Sequence, residues 1–188
     1  MLRRSLLAAA LLVVAIAAGA DARASVSVAV TFDALVRDTT SCGVMTPVEQ
    51  QSLWENGRIV TYTRVHVDRA VAGDLRTGSD ALVATLGGKV GTVGQTVDGE
   101  PQLTVGAPAL LFLRPDRVPG LLIVTARAQG AFPLRGDGRF VRSNAVGVVL
   151  TPRGAQAAES LAQDVLAERP VEDAARSVAA VWGRWHVR

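Results

Sequence analysis

Four polar side chains recur at every second position of one stretch: Tyr62, Arg64, His66 and Asp68. Along an extended strand, alternate residues point the same way and stand about 6.6 Å apart. A phenol, a guanidinium, an imidazole and a carboxylate in one row can hold a ligand. The plainer alternative is a solvated strand face with cross-strand ion pairs, which contribute little each. A glycine-rich stretch follows, with Gln95 and Glu100 near its far end. The expected binding site is therefore the polar row plus loop 87–100: Tyr62, Arg64, His66, Asp68, Gln95 and Glu100. The residues assign it no catalytic side chain, no metal and no cofactor.

Several familiar chemistries lack their residue sets. The chain has two histidines, His66 and His186, and neither has a His or Cys at zinc-ligand spacing. No Gly-x-Ser-x-Gly elbow is present. Cys42 and His66 are the one Cys/His pair available to a barrel, but counting back from the turn at Asn56-Gly57 sets Cys42 several residues past the position facing His66. The run Gly87-Gly88-Lys89-Val90-Gly91-Thr92-Val93-Gly94 lacks the Gly-Lys-Ser/Thr ending of a phosphate loop. One cysteine allows no internal disulfide, and a lone cysteine is most often a small buried hydrophobe.

The elements that position these residues are mainly strands. Thr31 can cap a short helix over 31–38, with Phe32, Leu35 and Val36 on one face. Residues 42–54 read as a strand interrupted by Pro47, which belongs at an edge or bulge. Asn56-Gly57 predicts a type I′ hairpin turn. The long strand 58–71 follows, with Ile59, Thr61, Thr63, Val65, Val67 and Val71 on one face and Val60 joining the polar row on the other. Further strands are expected at 80–86, 109–113, 121–128, 131–134 and 140–142, with a last short one at 146–150. Residues 87–106 form a glycine-rich excursion over the barrel. Five or six strands in meander order in a domain this small predict a closed antiparallel barrel.

The β pattern stops near residue 151. Pro152 to Glu168 carries Ala157, Leu161, Val165 and Leu166 at helical spacing, and Arg169-Pro170 breaks it. Pro170 then opens a second helix with Glu172 and Asp173 in its first turn. The division expected is a barrel over 25–150 and a C-terminal helical hairpin over 151–188. Trp182 and Trp185 share one face of the second helix. Packing on the barrel is the ordinary reading; weak contact with a membrane or a protein partner is the sharper one.

Phe32-Asp33-Ala34-Leu35-Val36, Trp54-Glu55-Asn56-Gly57-Arg58-Ile59-Val60-Thr61, Gly87-Gly88, Val93-Gly94-Gln95 and Leu110-Leu111-Phe112-Leu113 together resemble an uncharacterised family of exported bacterial proteins. The resemblance covers about half the chain and implies an OB-type barrel, including its secreted netrin-like variant. It brings no activity with it. Some netrin-like domains inhibit metalloproteases through a disulfide-bonded N-terminal cysteine. Cys42 lies well inside the chain and has no partner, so that route is not implied here.

The N-terminus gives an address. Met1-Leu2-Arg3-Arg4 precedes an uncharged apolar run from Leu6 to Ala18, and Ala22-Arg23-Ala24 fits a signal-peptidase site. The run is shorter than the roughly 20 residues a spanning helix needs. Residues 1–24 are expected to be a cleaved signal peptide, with the cut after Ala24 or, second, Ala22. Cleavage removes three arginines and one aspartate, leaving a mature chain close to neutral. With one lysine and no basic cluster, no nucleic-acid partner is expected. The expected protein is a periplasmic or extracellular, non-catalytic binding or accessory module for a protein or small ligand. The alternatives are a hydrolase-type enzyme using the polar strand face, or an envelope-interaction protein acting through the C-terminal helix.

Overall fold

Asn56 and Gly57 adopt φ values of 48° and 78°, the left-handed pair a type I′ turn requires. They join strands β2 (Ser41–Glu55) and β3 (Arg58–Gly73), preceded by strand β1 (Ser25–Val28) and helix α1 (Phe32–Arg37). The computed structural model describes residues 25–142, 148–151 and 159–186. The expected signal peptide, residues 1–24, lies outside them, as do residues 146 and 147 of the last strand and residues 152–158 of the expected helix. No described helix is long and apolar enough to cross a membrane.

Thr31 caps α1 as its sequence implies: its Oγ1 accepts from the Ala34 amide at 3.3 Å. The next elements are β4 (Asp80–Leu86), a small hairpin β5 (Gly88–Val90) and β6 (Val93–Gln95), β7 (Ala109–Pro115), β8 (Leu121–Val124) and β9 (Ala131–Pro133). The sheet order is β2-β3-β4-β8-β7, and β7 pairs back onto β2 over Ser41–Met45. This is a closed five-stranded barrel of OB type, with β9 as an extra strand beside β7. The order is not a meander, and one pair is parallel: β8 inserts between β4 and β7, running with β4. The glycine-rich excursion causes this, because it carries the chain across the barrel end before β7 begins.

β2 changes what it faces along its length. Register shifts at Cys42/Gly43, Val44/Met45 and Pro47/Glu49 bend it, and Pro47 sits at a bulge, where its missing N–H breaks no ladder. Gly43 is required, since a Cβ there would lie 2.6 Å from the Arg69 carbonyl. Cys42 and Val44 consequently face the helices, whereas Met45 enters the barrel. Inside the barrel, Met45 packs with Val65, Val67, Val83, Leu111 and Leu113. Toward the mouth the lining turns polar, with buried Thr61, Thr63 and Thr85.

A second core lies between the outer side of β2 and β7 and the helices. Phe112 and Phe132 meet edge to face at 6.1 Å and pack with Phe32, Leu35, Leu166 and Val178. Helices α2 (Ala162–Leu166) and α3 (Val171–Trp185) close this layer. Arg69 pairs with Glu172 and Arg184 with Asp33 at 2.7 Å, tying α3 to β3 and α1.

Three expected strand segments differ. β8 ends at Val124, and a 3-10 turn over Arg127–Gly130 replaces its second half. Phe140 makes a single bridge, to Leu134, rather than starting a strand. The last strand, β10 (Val148–Thr151), runs parallel to β1, outside the barrel. That pairing makes a strand of Ser25–Val28, a short polar–apolar alternation for which no strand is expected from the sequence. In the C-terminal part, Leu161 is an extended cap rather than a helical residue, so the first helix is only one turn and a half.

Candidate functional site

The outer face of β3 divides into two halves. Toward one end, Arg64 bonds Glu49 at 3.1 Å and Asp80 at 2.8 Å, and His66 Nδ1 stands 2.9 Å from Asp80. These hydrogen bonds from His66 and Arg64 hold the Asp80 carboxyl below its ordinary range. Thr46 Oγ1 donates to Asp68 at 2.7 Å. All these groups are paired across the strands and open to solvent. Tyr62 faces Gln51 in the register set by the turn, and the bulge at Pro47 shifts the pairs beyond it by one, so that His66 faces Thr46.

Toward the β2–β3 turn the same face becomes apolar. Val60 is 9% exposed although it points outward. Val60 pairs with Leu86 and Tyr62 with Ala84 across β4, and Leu121 and Ile123 continue the surface on β8. They form the floor of a groove of about 760 Å³. One wall is the segment 27–31. Gln129 fixes that wall through both ends of its amide: Oε1 accepts from the Val30 N–H at 2.8 Å, and Nε2 donates to the Val28 carbonyl at 3.0 Å. The side chain thereby substitutes for a neighbouring strand. The other boundaries are the β2–β3 turn, with Glu55 and Arg58, and the loop after β7, with Asp116 and Val118.

Tyr62 donates to Glu55 Oε1 at 2.6 Å at the rim of this groove, and that hydrogen bond raises its pKa. Glu100 also borders the groove. Its side chain is 12% exposed, and its two oxygens accept from Leu86 N–H at 3.2 Å and meet Arg127 at 3.3 Å. It is thus a tie between loop and β4 rather than part of the charged row. Gln95 differs from the expectation in the same way, because its Oε1 accepts from the Ile59 amide at 2.6 Å and anchors the β5–β6 hairpin. Of the six expected residues, Tyr62 and Glu100 border the groove and Gln95 borders a cavity at the barrel mouth, while Arg64, His66 and Asp68 stand apart from both.

A second cavity of about 430 Å³ opens at the barrel mouth, beside Ser52, Thr61, Lys89 and Gln102. Thr85, Leu86 and Glu100 border both cavities. The backbone beside them is strained: Ala126 and Arg127, neither a glycine, hold φ at 54° and 55°. Such residues cost about 1–3 kcal/mol each and gather at functional sites. No sequence signal marks Ala126-Arg127 for this conformation. The groove floor is built from apolar residues at outward positions on three strands that only the fold makes neighbours.

Cys42 is fully buried against Phe112 and Ala72, and burial pushes its thiol far up. Its strand neighbours hold it away from His66. Among the described residues, no three His, Cys, Asp or Glu side chains gather as a metal site. Trp182 stacks on His186 at 3.8 Å, and Trp185 donates to Asp33 at 3.3 Å beneath Arg37. Both indoles thus engage other side chains in the helical layer. The chain matches no family model, no curated protein and no solved structure in the comparisons made.

Proposed function

We propose that this protein is an exported, non-catalytic binding or accessory module that takes an apolar-bodied ligand in the groove on the outer face of β3, β4 and β8. The groove itself carries the reading: about 760 Å³ floored by Val60, Ala84, Leu86, Leu121 and Ile123, with a few polar groups at its edge. Apolar concave surface with sparse polar contacts is the usual form of a small-molecule site. Its place in the fold supports the same reading. OB-type barrels bind on their second and third strands, between the loops joining strands one to two and four to five. Here those are β3, β4, the turn at 55–58 and the loop at 116–120.

A fragment screen by amide NMR on the protein purified after expression of the full chain tests this. Hits should cluster on Ala84, Ile123 and Val30, and Ala84→Trp should abolish them while the fold is retained. Hits confined to the Arg64/His66 row, or unaffected by Ala84→Trp, would overturn it. Export is tested by N-terminal sequencing of the periplasmic product, which should start at Ser25, or at Arg23 if the alternative site is cut. An uncleaved product confined to the cytoplasm would refute the export reading.

A further inference from the structure

The groove and the barrel mouth share a border at Thr85, Leu86 and Glu100, and the chemistry of that border is uneven. Thr85 is 8% exposed and shares the inner face of β4 with Val83. Its neighbours Thr61 and Ser52 satisfy each other at 2.8 Å, and Thr61 also donates to the Gly87 carbonyl at 2.6 Å. The Thr85 hydroxyl has no such partner among the described residues. Unlike the Thr125 hydroxyl, which is enclosed without a partner, the Thr85 hydroxyl opens onto the cavity, where a ligand group can accept from it. The charges at the mouth are unequal too. Glu100 is occupied by Arg127 and the Leu86 amide, whereas Lys89 makes no ion pair among the described residues.

We propose that the two cavities form one continuous site for a single-chain amphipath with an anionic oxygen headgroup. The apolar tail lies along Val60, Ala84 and Ile123. The head turns past Leu86 into the mouth, where Thr85 donates a hydrogen bond and Lys89 supplies the counter-charge. This rests on the groove being a binding site and adds the class of its ligand. An anion satisfies both free donors at once, and a charge-assisted hydrogen bond is about twice as strong as a neutral one. An apolar tail without a head offers the Thr85 hydroxyl no acceptor.

The test uses three ten-carbon probes: decanoate, decan-1-ol and decyltrimethylammonium. Amide NMR titration of the purified protein should show decanoate moving Ala84 and Ile123 in the groove together with Thr85 and Lys89 in the mouth. Decanol should bind more weakly and decyltrimethylammonium weakest. Thr85→Val, which keeps the shape and removes the hydroxyl, should weaken decanoate roughly tenfold. Lys89→Met should weaken decanoate and leave decanol unchanged. If decanoate moves only groove amides, or Thr85→Val leaves its affinity intact, the joined site falls while groove binding stands. Equal affinity for decyltrimethylammonium overturns the anionic head. If no probe moves groove amides, groove binding falls as well.

Discussion

Replacing Gln129 by alanine should loosen one wall of the groove and leave the barrel intact. The Gln129 amide makes two hydrogen bonds to the segment 27–31, at 2.8 and 3.0 Å. A protein hydrogen bond contributes a net 0.5–1.5 kcal/mol, so both together are worth about 1–3 kcal/mol. The wall has other ties, including the Ala29 amide to the Thr151 carbonyl and the Phe32 amide to the Ser160 carbonyl, both at 2.9 Å. Those ties survive the substitution, so the loss should be local. Native-state hydrogen exchange reads it directly: protection of the Val30 amide should fall by about 5- to 150-fold, the factor that free energy represents. Protection at Val65 and Leu111, inside the barrel, should change far less. Gln129→Glu should behave like the alanine variant, because it keeps an acceptor for Val30 but sets a carboxylate against the Val28 carbonyl. Unchanged exchange at Val30, or an equal fall at Val65 and Leu111, would refute the view that the Gln129 amide is a local tie of this wall.

Tyr62 is the chain's one tyrosine, so the ultraviolet titration of phenolate reports on it alone. It should ionise above the ordinary tyrosine value, and Glu55→Gln should bring it back down; the raised value stabilises the fold below the unfolded tyrosine pKa, and that contribution is lost as the pH rises through the folded one. Cys42 should resist iodoacetamide at pH 8 in the native protein and react on unfolding in urea, as its burial and raised pKa require; native labelling would show that the core opens. Val178→Ala should cost about 2–3 kcal/mol by urea denaturation, since Val178 is fully buried between α3 and the outer barrel core; a loss under about 0.5 kcal/mol would mean that α3 is not part of the cooperative unit.

Local chemistry made half of this fold legible. The Asn56-Gly57 turn, the alternation from Ile59 to Val67, the Pro47 bulge and the Thr31 cap are each written in a few adjacent residues, and each stands where expected. What was not legible depends on distant pairings. Nothing near Leu82 says that it will lie beside Leu121 in parallel, and nothing in Ser25–Val28 announces a partner at 148–151. The candidate site divides in the same manner. Polar residues drew attention to Arg64 and His66, whose neighbours on β2 and β4 already bond them. The groove is built instead from outward-facing Val60, Ala84 and Ile123, which read as ordinary strand residues until three strands align them. Gln95 and Glu100 looked like recognition residues on an open loop. Their side chains instead satisfy the Ile59 and Leu86 amides, where the ladder between strands gives out.

The bends in β2 bear on the order in which the chain can acquire its structure. One strand supplies Cys42 and Val44 to the helical core and Met45 to the barrel, so neither core is complete without the other. The helical core also joins the chain's two ends: Arg184 reaches Asp33, and His186 Nε2 lies 3.1 Å from the Val36 carbonyl, 150 residues back. Contacts at such separations form late, because a long loop must close before they return anything. A nascent chain would carry part of the apolar face of α1 uncovered until α3 had been synthesised. Delayed folding of that kind keeps a polypeptide threadable, which accords with the export proposed above.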